Sequence, residues 1–246
     1  MGSNSALRAF LACVILCVCL PNAALAQGLN FNFFQDATLS QSSVQLILLI
    51  TVLSLAPGIL VTVTCFPFVV TIFSILRQAI GLQQSPPNML LVSLSLFLTY
   101  FVMEPVAEQA WSEGLQPYFD GAIELGVAVD RTLVPFQSFM AGRTDPDTYT
   151  QLAMLRPDEA TALAADSPFS ILTPAFILSE LSRAFQIGFL IYLPFLIIDL
   201  VVAAVLMSMG MMMVPPVIVS LPFKLAFFVV SDGWVLLSTA LVSSYL

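Results

Sequence analysis

Met207-Ser208-Met209-Gly210-Met211-Met212-Met213-Val214-Pro215-Pro216 holds five of the ten methionines of this 246-residue chain. It separates two long apolar stretches, residues 187–206 and 214–230, and so reads as the tip of a helical hairpin. Thioethers on unbranched stems adapt to irregular or changing partners better than Leu or Ile, which suits a surface that closes around variable shapes.

Outward from that turn the chain is a membrane protein by composition, with 59% hydrophobic residues, 9% charged residues and a mean hydropathy of +0.99. Eleven of the fifteen acids and three of the seven bases lie in residues 104–166, so a solvated acidic middle is flanked by nearly uncharged blocks. A net charge of −8 without a Lys/Arg cluster excludes nucleic acid as a partner.

The N-terminus has the form of a cleavable leader: Arg8, an apolar run over residues 9–20, and a small-residue end at Ala24-Leu25-Ala26. Cleavage between Ala26 and Gln27 is predicted. It removes Cys13, Cys17 and Cys19 and leaves Cys65, which excludes an intrachain disulfide or a zinc site. The expected division is a signal peptide over 1–26, a short polar segment over 27–43, a first apolar hairpin over 44–103, an acidic outer helical region over 104–184, and a second hairpin with the methionine turn over 185–246.

Hydropathy marks four spans, in residues 44–76, 89–103, 187–206 and 214–230, the last continued over 234–246. An exported N-terminus puts the turn at 77–88 and the methionine turn on the cytoplasmic side, with the acidic region outside. The first block is about 50 Å as a straight helix and the second about 22 Å, against a hydrocarbon core of about 30 Å. Pro57-Gly58 and Pro67 are expected to bend or break the first block. Broken apolar helices need protein neighbours, so an all-α membrane protein that packs against other subunits is expected.

Asp199 and Lys224 stand inside the apolar blocks, about twelve residues before and after an apex at Met211 and Met212. They are candidates to pair within the hairpin. Glu180 and Arg183 are rival partners, within the chain or between copies. Enzyme chemistry lacks its inventory: the chain has no His, hence no imidazole base, Ser-His-Asp triad or H-E-x-x-H zinc site, and no glycine-rich phosphate loop. Energy for any transport then comes from partners or the membrane potential. Met207-x-Met209-x-Met211 also has the spaced thioethers of a copper(I) transporter, although only Cys65 is at hand to support such a path.

Three stretches carry a resemblance to a known family. They are Leu76-Arg77-Gln78-Ala79-Ile80-Gly81-Leu82-Gln83-Gln84-Ser85-Pro86-Pro87-Asn88, then Pro174-Ala175-Phe176-Ile177-Leu178-Ser179-Glu180-Leu181-Ser182-Arg183-Ala184-Phe185-Gln186-Ile187-Gly188-Phe189, and Pro194-Phe195-Leu196-Ile197-Ile198-Asp199 running on to Met212. Together they resemble the FliP family of the type III secretion export gate, and the likeness covers nearly the whole mature chain. It implies broken helices arranged as hairpins that stack, with FliQ and FliR, into an oligomeric gate for unfolded proteins, alongside FlhA and FlhB. No cofactor is implied. By the same resemblance Met207, Met209, Met211, Met212 and Met213 ring the pore, and Glu180, Arg183, Asp199 and Lys224 tie subunits or hairpins together. The leader points to the flagellar branch, in the bacterial inner membrane at the basal body. Cys65-Phe66-Pro67-Phe68 and residues 116–166 depart from the expected pattern; the latter, including Asp145-Pro146-Asp147 and a short helical pattern over 158–165, read as a solvated spacer and subunit contact.

Overall fold

A computed structural model describes residues 61–82, 86–157, 162–211 and 213–245, together with the isolated positions 47, 50, 51, 54, 55, 58 and 59. The leader, its Ala26–Gln27 junction, residues 27–43 and Met212 lie outside the described residues. The described chain is all-helical, without a strand. Residues from Leu55 onward form one compact unit.

The first apolar block yields α1, Phe66–Ile80. The chain turns through 63–65, and Pro67 falls in the first turn of α1, where its missing N–H is harmless and its fixed φ starts a helix. The break expected near Pro67 is therefore a helix start rather than a kink. At 15 residues α1 is about 22 Å long and does not cross a membrane by itself. It ends at Gly81, whose φ of +88° places it in the left-handed region, with its N–H donating to Gln78 O at 3.1 Å.

The second block is longer than hydropathy suggested. α2, Asn88–Ala110, continues through a π-helical turn, Trp111–Leu115, into α3, Gln116–Phe119, giving 32 helical residues or about 48 Å. Glu104 and Glu108 lower the hydropathy but are exposed and helix-compatible, so the helix outlasts its apolar part. Gly114 in the π turn lets α4, Leu125–Arg143, approach closely: a Cβ there would sit 2.7 Å from the Thr132 backbone nitrogen.

α5, Pro146–Ala153, is capped by Asp145, whose carboxylate accepts from the Thr148 N–H at 2.9 Å and its hydroxyl at 2.7 Å. These bonds hold the Asp145 carboxyl below its ordinary pKa. The helical pattern expected over 158–165 is not helix where it is described: Ala162 to Ala165 bend around Ser167, whose hydroxyl accepts from Ala164 N–H and donates to Ala162 O. Side-chain bonds of this kind compete with a helical backbone.

α6, Phe169–Ser208, runs 40 residues, about 60 Å, across both Pro174 and Pro194. It and the Asn88–Phe119 helix are long and apolar enough to cross a membrane. The last block is split into α7, Pro216–Val230, and α8, Gly233–Ser243, bent by 59°. Among the described residues there are two spans, or three if that pair counts as one, and much of the first expected block, 44–76, lies outside them. The boundaries placed at 103/104 and 184/185 fall inside α2 and α6.

α1 is the hub. Phe68, Val69, Ile72, Phe73, Leu76 and Ile80 are buried against Leu91, Val102, Ala184, Phe195 and Phe228 from α2, α6 and α7. Gly188 brings α6 onto α1: a Cβ there would lie 2.4 Å from Ile75 Cδ1. A second core joins α4, α5 and the start of α6 through Met140, Tyr149, Ile171, Leu172 and Phe176. Five prolines inside helices, Pro105, Pro135, Pro174, Pro194 and Pro222, thus coexist with two packed cores.

Candidate functional site

The methionine turn has a pinned backbone and free side chains. α6 ends with Met209 as its C-cap and Gly210 at φ +75°. The Gly210 N–H donates to Met207 O and the Met211 N–H to Leu206 O, each at 3.0 Å, a Schellman closure that satisfies the last carbonyls. Pro215 and Pro216 then start α7, and Pro216 needs no N–H partner there. Leu206 is buried, whereas Met207, Met209 and Met213 are 60%, 66% and 98% exposed and Met211 is 38% exposed. Beside the turn, α6 and α7 frame a groove of about 580 Å³ whose lining, from Ile197 through Val205 and Met209 to Phe223, is wholly apolar.

Nearer the core the hairpin carries an ion pair. Lys224 Nζ lies 2.7 Å from Asp199 Oδ2 and donates at 3.0 Å to Ala79 O at the end of α1. Ser220 Oγ donates to the other oxygen, Asp199 Oδ1, at 2.5 Å. Lys224 is 3% exposed, so its charge is compensated inside the chain by a carboxylate, a carbonyl and the C-terminal end of a helix.

Glu180 is fully buried and belongs to a separate cluster. Its Oε1 accepts from Arg143 Nε and Arg183 Nη1, each at 3.2 Å, and its Oε2 from the Tyr245 hydroxyl. Arg143 also donates to Ser244 O at 2.9 Å and lies 4.0 Å over the Tyr245 ring, which Phe139 and Phe68 flank. Glu180 and Arg183 are thus joined to one another and not to Asp199 or Lys224. Arg143, Ser220 and Tyr245 are the partners that sequence reading missed. Arg143 lies in the acidic stretch, where it reads as a solvated charge, and Ser220 and Tyr245 carry no local signal. No group of three or more metal-ligating Cys or acidic side chains occurs among the described residues.

The second hairpin thus combines a methionine turn, a buried ion pair and a bent pair of last helices. The FliP family model matches residues 49–241. The chain belongs to the FliP family. It is 49% identical over 232 residues to the flagellar biosynthetic protein FliP of Caulobacter vibrioides, covering 94% of this chain and 87% of that one. It is 43% identical over 241 residues to the Agrobacterium fabrum FliP, covering 96% and 98%, and 46% identical over 218 residues to the Bacillus subtilis FliP, covering 88% and 98%. FliP-family membership makes the chain a flagellar export component of membrane-spanning type rather than a member of a known enzyme family.

Proposed function

We propose that this chain is a pore-forming subunit of the flagellar type III export gate, in the bacterial inner membrane at the basal body. Copies associate with one another and with FliQ and FliR, adjoin FlhA and FlhB, and pass unfolded flagellar proteins. The observation that carries the reading is the contrast within the methionine turn: a backbone closed by paired hydrogen bonds and prolines, bearing thioethers turned away from their own chain.

That contrast suits a gasket. An unfolded polypeptide presents side chains of every size, and a rigid ring would either leak or jam. Unbranched thioethers change rotamer at small cost and keep apolar contact with each shape in turn. The backbone beneath must meanwhile hold its place, which the Schellman closure and the Asp199–Lys224 link to α1 both favour. Repetition of the turn around an axis places these methionines at the constriction.

The test is conductance. A chain lacking Met211 to Met213 should still assemble, and the complex should leak ions in planar bilayers where the wild type is closed. Unchanged conductance from an intact complex refutes the gasket.

A further inference from the structure

α8 is held at its two ends and hardly between them. Of its eleven residues only Gly233 and Leu241 are buried. Beneath its middle lies an apolar cavity of about 360 Å³, walled by Leu76 from α1, Ile191 and Phe195 from α6, and Leu237 and Ala240 from α8 itself. A helix packed along its whole length leaves no such space, because close packing is what holds apolar elements together.

The first end is a hinge. α7 and α8 meet at 59°, and Asp232 between them has a φ of +48°, the only positive value among the described non-glycine residues. Asp enters that region at a cost, and its side chain does not offset the cost by capping α8. Gly233 follows where a Cβ would lie 2.2 Å from Phe228 Cε2, and the Trp234 ring closes the joint against Phe228 and Phe73 at 5.3 Å and 6.0 Å.

The second end is a latch. Arg143 donates to Ser244 O at 2.9 Å and lies 4.0 Å over the Tyr245 ring, whose hydroxyl donates to the buried Glu180. Phe68 and Phe139 flank the same ring. These partners belong to α1, α4 and α6, so the latch ties the end of α8 to the core without passing through α7. A straight alternative is built into the same segment, since α7 and α8 taken together are long and apolar enough to cross a membrane. The bend therefore persists while the contacts at its far end outweigh the left-handed residue at its corner.

We infer that α8 is a strap with two positions, hinged at Asp232 and Gly233 and latched at Tyr245, which swings as one helix when the latch opens and uncovers the cavity beneath it. The strap goes beyond the export-gate reading and does not depend on it. Straightening through 59° carries Ser243 about 16 Å and Thr239 about 10 Å, in proportion to their distance from the hinge.

The experiment measures distances between spin labels by pulsed electron paramagnetic resonance in the full-length chain in lipid nanodiscs, its native cysteines replaced by alanine. Labels at Ser138 on α4 and at Ser243 or Thr239 on α8 report the strap, and labels at Ser74 on α1 and Ser138 report the core; all four sites are exposed. Tyr245→Ala should raise the share of a second, longer strap distance about tenfold or more, and Tyr245→Phe, which keeps the ring, should raise it less. Asp232→Ile acts at the opposite end of α8 and should also raise that share, because a β-branched residue resists positive φ, whereas Asp232→Gly should not. The absence of a longer distance in both Tyr245→Ala and Asp232→Ile overturns the strap. Movement of Ser243 without Thr239 shows a fraying last turn and overturns it as well. A change in the Ser74–Ser138 distance assigns the same residues to the core as a whole, which again overturns the strap.

Discussion

Lys224 offers the most direct test of how the second hairpin is held. Lys224→Met keeps the aliphatic stem and removes the ammonium, leaving Ala79 O without its donor and Asp199 with Ser220 alone. Stripping one partner from a buried pair costs about 3–5 kcal/mol, because the remaining charge keeps its desolvation penalty. Asp199 is 25% exposed at its side chain and retains the serine hydroxyl. The low end therefore applies, about 3 kcal/mol for the single variant.

Replacing both members changes the sign of the argument. In Lys224→Met/Asp199→Leu no charge is stranded, and apolar substitution of a buried pair is often neutral or stabilising. Only the Ala79 carbonyl and the Ser220 hydroxyl lose a partner, so the double variant should be more stable than the single by about 1–3 kcal/mol, a coupling measurable in a double-mutant cycle. The assay is equilibrium unfolding of the purified chain in micelles, followed by helical circular dichroism. A Lys224→Met cost below about 1 kcal/mol, or a double variant as damaged as the two singles summed, refutes the reasoning.

Gly188→Ala should destabilise the α1–α6 contact by about 1–3 kcal/mol, since the new methyl meets Ile75 Cδ1 at 2.4 Å, and Ile75→Ala in the same chain should recover part of the loss in the same unfolding assay. Glu180→Ala should cost about 3 kcal/mol by leaving the part-buried Arg143 without its carboxylate; Tyr245→Phe keeps the ring under Arg143 and should cost less, as thermal melts of the two variants would show. Asp145 has a folded pKa below its ordinary value, so its cap on α5 contributes fully above about pH 4 and is lost as pH falls through the depressed value. The Thr148 amide resonance should move over that acidic range, and the movement should vanish in Asp145→Asn. N-terminal sequencing of the mature chain should begin at Gln27; a chain still starting at Ser3 or Arg8 refutes cleavage after Ala26.

The parts of the fold legible in the sequence are those governed by local arithmetic. Two antiparallel helices rise at the same rate, so residues about twelve before and after a turn meet, and Asp199 and Lys224 lie 2.7 Å apart. The apolar blocks mark where helices must be, but not where they stop: α2 and α6 extend into the acidic region because Glu and Gln favour helix while lowering hydropathy. Long-range partners were out of reach. Glu180 finds Arg143 across 37 residues and Tyr245 across 65, contacts set by how α4, α6 and the end of α8 converge on Phe68 and Phe139. Asp232 escaped notice for the opposite reason, since a single Asp beside a Gly reads as an ordinary turn.

The distribution of spent and unspent polar groups bears on what holds neighbouring subunits together. Glu180 has both oxygens engaged, Asp199 likewise, and Lys224 is buried with two acceptors. These three therefore act within one chain, fixing α7 against α1 and α6 against α4, and their loss should first unsettle the monomer. Arg183 differs, being 36% exposed at its side chain with one N–H donated to Glu180. The surfaces left for neighbours are mainly apolar: Phe97, Tyr100 and Phe101 on α2, Phe185 and Phe189 on α6, and the valines around Asp232. In a membrane, apolar faces alone gain little by leaving lipid for protein, so specificity between subunits needs shape or a rare polar group. Charges that set the register inside each copy and apolar faces left exposed divide those two tasks between different residues. Variants of Lys224 and Glu180 should accordingly lower the stability of the isolated chain.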